Sequence, residues 1–129
     1  MSCHGSTYSP VSLFCAGHTY LPDGRLLVAG GIVGLQDDLG PRESTLFDPV
    51  TETWSAGALM TAGRYYPTTT TLGDGRVLVQ GGTTTCNTCI ADLPEIYDPV
   101  RNTWTPMAAS ASKAFKYYPH PYVLPDGRV

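Results

Sequence analysis

The chain has 129 residues, of which 42% are hydrophobic and 15% charged, and its formal net charge is −3 at pH 7. No run of Lys or Arg occurs, so nucleic-acid or anionic-membrane binding has no electrostatic support. No apolar stretch approaches the roughly 20 residues that a membrane-spanning helix needs. The 14 Gly and 11 Pro indicate an all-β protein with many tight turns, because both residues interrupt helices and punctuate strands.

Residues 1–10 are polar and poorly patterned. They lack the apolar core of a secretory signal peptide, so either the chain is intracellular or its true N-terminus lies upstream. Cys3 has no assignable partner in this segment, and His4 carries no functional signal.

The most informative feature of the sequence is a repeat of about fifty residues. LPDGRLLVAGG at 21–31 returns as LGDGRVLVQGG at 72–82, and LPDGRV at 124–129 begins a third copy. LFDPVTETW at 46–54 returns as IYDPVRNTW at 96–104. RYYPT in the second copy is echoed by KYYPH in the third. These markers share one period, which predicts successive units of the same structure.

Each unit is predicted to contain four short strands. In the second unit YYPTTTTL is rich in β-forming residues, and GDG supplies the positive φ values of a tight hairpin. RVLVQ follows as a hydrophobic strand and ends at Gly81-Gly82. A variable loop then leads to PEIYDP, where Asp98-Pro99 makes a turn, and to a strand ending at Trp104. No segment has a sustained helical period, so we expect no helix.

A unit of about fifty residues with Gly-Gly after its second strand and a Trp near its fourth is typical of a kelch-type β-propeller blade. We expect the Trp to pack between neighbouring sheets; a β-sandwich is the alternative fold. The predicted units span approximately 11–60, 61–111 and 112–129, the third being truncated. Because propellers close with typically about 4–8 blades, we expect a fragment that needs the rest of the propeller, or other chains, to close its ring.

Cys15 and Tyr66 occupy equivalent places in successive units, at the start of the strand that precedes the Asp-Gly hairpin. That strand is the innermost of a kelch blade and lines the central axis. A thiol and a phenol are therefore expected to be close neighbours near the mouth of the channel. The alternative for Cys15 is a small buried hydrophobic residue, as free cysteine often is.

The residues around this pair resemble a known family. FCAGH at Cys15, followed by RYYPT and DGRVLVQGG, is similar to the galactose oxidase and glyoxal oxidase family of copper radical oxidases, and RYYPT is nearer the glyoxal oxidase branch. In that family a cysteine forms a thioether with a tyrosine one blade later, and this tyrosine binds copper and carries a radical. The family's tyrosine follows an arginine by two residues, so the resemblance assigns the role to Tyr66, which follows Arg64, and not to Tyr65.

The resemblance implies two cofactors, copper and a protein-derived Cys-Tyr thioether radical. It implies oxidation of a small primary alcohol or aldehyde by O2 with release of H2O2. The family's other copper ligands, a Tyr-His pair and a second His, come from later repeats, so the isolated chain is expected to be inactive. The family is generally exported. In galactose oxidase a Trp soon after the Gly-Gly stacks over the linked ring, whereas here TTTCNTC follows Gly82 and leaves radical tuning and substrate class open.

Other candidate residues have simpler interpretations. Tyr118 and His120 could mimic the Tyr-His pair, since alternate residues share one face of a strand, but they align with an inner strand and a channel-lining role is favoured. His18 follows Cys15 by three and would face the opposite way, which favours a bridge to a neighbouring blade over copper binding.

Cys86 and Cys89 form a C-x-x-C pattern in a loop. One such pair is at most half a zinc site, and a thioredoxin-like motif needs a βαβ context. A loop-closing disulfide of an exported protein is therefore favoured. For the whole chain, a non-catalytic kelch-repeat binding module and a self-assembling partial propeller are the alternatives to an oxidase.

Overall fold

The computed structural model describes residues 11–33 and 39–129, where eight strands form two four-stranded antiparallel sheets. The first sheet has the order β1 (Gly17–Tyr20), β2 (Leu26–Ala29), β3 (Ser44–Asp48), β4 (Thr53–Ala56). The second has the order β5 (Thr68–Thr71), β6 (Val77–Gln80), β7 (Glu95–Asp98), β8 (Thr103–Pro106). A single 3-10 turn, Ala109–Ala111, is the one helical element in the described ranges. The predicted all-β fold, built from four-stranded antiparallel propeller blades, is confirmed.

The two sheets repeat each other in side-chain detail. Phe47 pairs with Trp54 across the first sheet, and Tyr97 pairs with Trp104 at the same place in the second. In both pairs the ring centroids lie 5.0 Å apart with planes inclined by 44°. Aromatic cross-strand pairs of this kind stabilise the outer strands of a sheet.

The Asp-Gly hairpin has one geometry in all three copies of the repeat. The Gly24, Gly75 and Gly127 backbones have φ of +88°, +87° and +84°. In each copy the preceding aspartate accepts hydrogen bonds from the backbone and side chain of the arginine that follows the glycine, at 2.7–3.1 Å. The third turn forms although residues 112–129 contain no strand.

The core lies between the two sheets. Two clusters of buried side chains span the gap, and the side chain of Trp104 packs against both: Leu21, Leu27, Leu46, Val77 and Tyr97 form one, and Ala29, Met60 and Val79 the other. The indole of Trp104 also donates a hydrogen bond to the Ser44 hydroxyl of the first sheet, at 3.2 Å. The expectation that this Trp packs between sheets is correct.

The inner edges of the two sheets meet at β1 and β5. The hydroxyl groups of Thr19 and Thr71 lie 2.8 Å apart, and Thr71 also donates to the Tyr20 carbonyl at 3.1 Å. This contact places the two inner strands side by side and so brings together the segments that precede them. No helix in the described part of the chain is long and apolar enough to cross a membrane. Residues 1–10, with Cys3 and His4, lie outside the described ranges.

Candidate functional site

Cys15 and Tyr66 lie two residues before β1 and β5, not within these strands. Both have a left-handed backbone, with φ of 59° for Cys15 and 63° for Tyr66. The sequence prediction placed them on regular strand, and this is wrong because an L-residue in a strand has negative φ. The alternation argument that set His18 on the opposite face from Cys15 therefore has no basis.

A continuous backbone contact joins these positions from unit to unit. The Tyr66 amide donates to the Cys15 carbonyl at 3.0 Å, and the Tyr118 amide donates to the Tyr66 carbonyl at 2.8 Å. Tyr118, the equivalent residue of the third copy, also has positive φ, 37°. Three equivalent residues thus form one hydrogen-bonded row along the inner edges of the units.

Glycines allow the segment that carries Tyr66 to approach the first sheet closely. The Gly31 amide donates to the Arg64 carbonyl at 3.1 Å. A Cβ atom at Gly30 would lie 2.2 Å from the same carbonyl oxygen, and Gly30 also has a φ of +73°. Any larger residue at Gly30 would push the Arg64–Tyr66 backbone away from Cys15. The Gly-Gly marker of the repeat therefore has a direct role in building the site.

Arg64 holds the segment that carries Tyr66 in place through a buried ion pair. Its guanidinium lies 3.1 Å from the Glu95 carboxylate, and the two side chains are 0% and 1% exposed. It also donates to three backbone carbonyls, those of Gly81, Ala91 and Leu93. Burial lowers the pKa of Arg64, and the charge and hydrogen bond of Glu95 act in the opposite direction. A buried charge with this many partners restricts the position of the backbone next to Tyr66.

Four tyrosine rings meet at the site. The Tyr66 ring centroid lies 4.2 Å from that of Tyr65, 5.1 Å from that of Tyr117 and 4.9 Å from that of Tyr118. The contacts of Tyr66 with Tyr117 and Tyr118 are edge-to-face, a favourable arrangement for aromatic pairs. Tyr65 is buried, whereas Tyr117 and Tyr118 are 43% and 38% exposed. Tyr66 is thus covered on one side by a buried phenol and on the other by two partly exposed ones.

The phenol of Tyr65 contacts both members of the predicted pair. A side-chain hydrogen bond with Tyr66, then burial, then a side-chain hydrogen bond with Cys15 raise the pKa of Tyr65 well above its ordinary value. Burial raises the pKa of Tyr118 as well, and negative charge on Cys15 or Tyr66 adds to this effect. The thiol of Cys15 is free. Cys15, Tyr65, Tyr66 and Tyr118 therefore form one electrostatically linked group.

The other candidates lie around this group. His18 is exposed on β1, where it lines a cavity of about 240 Å³ together with Pro67 and Tyr118. His120 is exposed in a segment without strand, so the argument that it shares a strand face with Tyr118 does not hold. Cys86 and Cys89 form the favoured disulfide. Within residues 11–33 and 39–129, no three His, Cys, Asp or Glu side chains could hold a metal ion together.

Sequence reasoning missed several members of the site. Tyr118 was considered only as a copper ligand or a channel-lining residue, although it occupies the position of Cys15 and Tyr66 in the third copy. Tyr65 was set aside because the resemblance selects one tyrosine of the pair. Tyr117 is held by a residue of the variable loop, and the Arg64–Glu95 pair joins residues far apart in the chain, so neither had a local sequence signal.

Comparison with known proteins identifies proteins that are similar to this chain. No family model matches the sequence. Two galactose oxidases of Gibberella zeae, one from strain PH-1, are each 29% identical over 99 residues, which is 77% of this chain. A fungal alcohol oxidase of the AA5 family, in complex with copper, has a similar structure, with a TM-score of 0.59 and 29% identity over 72% of this chain. The chain is similar to these galactose oxidases and to the copper-bound alcohol oxidase.

The similarity covers only a small part of each relative, so it does not assign the activity of the whole relatives to this chain. The chain spans 13% of the length of the two galactose oxidases and 18% of the length of the copper-bound alcohol oxidase. The resemblance read from FCAGH and RYYPT is confirmed by these relatives. The roles of Cys15 and Tyr66 in this chain stay predictions, as do the boundaries of its units.

Proposed function

We propose that this chain supplies the cysteine-tyrosine part of a copper radical oxidase site. In this proposal the S–H bond of Cys15 and one C–H bond of the Tyr66 ring break and a thioether C–S bond forms, with O2 accepting the two electrons and two protons that are lost. Tyr66 is both a copper ligand and the radical-bearing residue. The reaction is the oxidation of a small primary alcohol or aldehyde by O2, with release of H2O2. The units are kelch-type blades spanning approximately 11–60, 61–111 and 112–129.

The proposal rests on the contact between Cys15 and Tyr66, which belong to two successive units. Cys15 and Tyr66 share an unusual backbone conformation and are joined by the hydrogen bond from the Tyr66 amide to the Cys15 carbonyl. Left-handed φ at a non-glycine residue costs about 1–3 kcal/mol and is concentrated at functional sites. The Tyr65 ring packs on the Tyr66 ring with a centroid distance of 4.2 Å. This combination favours a built site over chance packing of a small buried thiol.

The donor chemistry fits one ligand of a copper ion. A phenolate oxygen from Tyr66 is a suitable donor, and the described residues supply no His, Cys, Asp or Glu cluster beside it. In this proposal the remaining ligands, a Tyr-His pair and a second His, come from further blades, and the chain alone is inactive. When bound, copper accepts one of the two electrons that leave the substrate, and the linked phenol accepts the other.

The residues of this chain prepare the phenol for that role. A sulfur substituent donates electron density to the Tyr66 ring and lowers its oxidation potential. Tyr65, which is buried, packs on the Tyr66 ring at a centroid distance of 4.2 Å and restricts its position. Arg64 and Glu95 keep the backbone of this segment in place.

The test is a peroxide assay on a polypeptide in which further blades complete the ring. With copper and O2 supplied, a primary alcohol or an aldehyde should yield H2O2. Tyr66→Phe should abolish turnover, Cys15→Ser should lower it strongly, and Tyr65→Phe should lower it while leaving the thioether formed. If the parent protein and all three variants bind copper and none yields peroxide, the proposal is wrong and a kelch-repeat binding module is favoured.

A further inference from the structure

We propose that Tyr117 is a positioning residue for the Tyr66 ring, and that a disulfide loop, residues 86–89, holds Tyr117 in place. This inference rests on the proposed role of Tyr66 for its functional meaning. The contacts themselves exist in the metal-free chain and can be measured there.

Three contacts define the position of Tyr117. Its ring meets the Tyr66 ring at a centroid distance of 5.1 Å and an angle of 65°. Its hydroxyl donates a hydrogen bond to Oδ1 of Asn87 at 3.1 Å. The ammonium of Lys116 lies 4.8 Å from the centre of its ring, within the range of a cation-π contact. A side chain that is 43% exposed would otherwise sample several rotamers.

The partner of that hydroxyl lies inside the loop that the disulfide closes. Cys86 and Cys89 are bonded on either side of Asn87, and the Cys89 amide donates to the Cys86 carbonyl at 3.0 Å. Asn87 is itself exposed, so its position depends on the loop and not on burial. A disulfide limits the conformations open to the short segment that it closes.

The loop is also connected, through Thr83 and Thr84, to Tyr65, the residue that precedes Tyr66. Thr83 exchanges both backbone hydrogen bonds with Tyr65, at 2.8 and 2.9 Å, and the Thr84 amide donates to the Cys89 carbonyl at 2.7 Å. One connected unit therefore contacts the buried neighbour of Tyr66 through its base and the exposed neighbour, Tyr117, through its tip. Tyr118 is different, because its own amide binds the Tyr66 carbonyl and needs nothing from the loop.

Two consequences follow for the Tyr66 ring. Tyr117 covers one edge of the ring and restricts its motion as long as the disulfide is intact. Reduction of the exposed loop releases Asn87, and with it Tyr117, without disturbing the contact of Tyr118. The environment of Tyr66 thus depends on the redox state of the Cys86–Cys89 disulfide.

The test places a fluorotyrosine at position 66 of the metal-free chain and records its fluorine NMR signal. Tyr117→Ala should shift and narrow the signal, because an edge-to-face ring is lost and the labelled ring gains motion. Asn87→Ala and Tyr117→Phe should each give a smaller shift in the same direction, since both remove the tether and keep the ring. Tyr122→Ala is the matched control, an exposed tyrosine of the same segment, and should leave the signal unchanged.

A second arm reduces the disulfide with a water-soluble phosphine. The phosphine supplies two electrons, the S–S bond breaks, and water supplies the two thiol protons and the oxygen of the phosphine oxide. The signal should move as it does in Asn87→Ala, and a Cys86→Ser/Cys89→Ser variant should already have the moved signal and not respond. An unchanged signal in Tyr117→Ala overturns the inference, and an unchanged signal after reduction overturns the role of the loop. Neither result affects the peroxide assay, whose failure would leave these contacts standing.

Discussion

Cys15, Tyr66 and Tyr118 have a backbone conformation that most residues avoid. Each occupies the left-handed region, where a residue with a Cβ atom is destabilised by roughly 1–2 kcal/mol. The compensation comes from the row of backbone hydrogen bonds that joins the three positions. The shape of the site is thus set by the main chain, and the side chains differ from unit to unit as thiol, phenol and phenol.

The buried ion pair between Arg64 and Glu95 gives a prediction about single residues. The backbone amides of Thr61 and Ala62 donate to different oxygens of the Glu95 carboxylate, at 2.7 and 3.2 Å, so Glu95→Gln keeps an acceptor for only one of them. It leaves the Arg64 charge buried without a counter-charge, which should cost about 3–5 kcal/mol in the free energy of unfolding. The measurement is urea unfolding of the chain followed by circular dichroism.

Arg101→Gln is the control for that measurement. Arg101 is 80% exposed and lies 3.8 Å from Asp98, so its loss should change the free energy of unfolding by about 1 kcal/mol or less. Similar losses in the two variants would mean that the Arg64–Glu95 pair does not hold the fold.

At the scale of single elements, the Asp-Gly hairpin turn is the feature of the repeat that the sequence predicts best. The pattern Asp-Gly-Arg was enough to predict a tight turn with a positive φ, and the turn forms in three places, including one without flanking strands. In the first two copies the strand after the turn was predictable from its apolar residues, LLVA and VLVQ, and the TTTT strand before the second turn from its β-branched residues. Local sequence contained all the information that these elements need.

Two glycines in these turns differ in their surroundings. Both have nearly the same φ, but a Cβ at Gly75 would lie 2.7 Å from Cγ of Pro22, whereas a Cβ at Gly24 has nothing within 4 Å. Gly24→Ala should therefore cost about 1–2 kcal/mol from backbone strain alone, and Gly75→Ala should cost more. Equal shifts of the thermal midpoint would contradict a contact between the two turns.

The aspartates of these turns predict how the stability of the folded chain depends on pH. Hydrogen bonds from the backbone and side chain of Arg76 lower the pKa of Asp74 below its ordinary value of 3.8. A lowered pKa in the folded state means that the stabilisation is present above pH 3.8 and is lost as the pH falls through the folded value. Asp74→Asn should lose this dependence while keeping the turn. The thermal midpoint of both forms between neutral and acidic pH is the measurement.

At the scale of the whole molecule, the sheets are joined by long-range contacts that the repeat predicts only in outline. The period indicated that Trp54 and Trp104 are equivalent, and one of them does pack against both sheets. The sequence could not indicate that Arg64 pairs with Glu95 or that Tyr117 meets Asn87, because the partners are about thirty residues apart in the chain and no repeat marker links them. The site is built largely from such contacts, so it was predicted in part.

Trp54 and Trp104 give a prediction about the contacts that join the two sheets. Trp104 packs on both core clusters and binds Ser44, so Trp104→Ala should cost about 3–5 kcal/mol in the free energy of unfolding. Trp54 is paired with Phe47 of its own sheet, and Trp54→Ala should cost clearly less. Urea unfolding measures both, and a larger loss for Trp54 would contradict a core placed between the sheets.

The central claim concerns one bond, between Cys15 and Tyr66, in the protein whose ring is complete and loaded with copper. Trypsin cleaves after Arg25, Arg64 and Arg76, so Cys15 and Tyr66 fall in different peptides. Mass spectrometry after reduction should find these peptides joined, two hydrogen atoms lighter than their sum, with fragmentation placing the link on Tyr66 and not Tyr65. Recovery of two separate peptides, with Cys15 fully alkylated, would contradict the account.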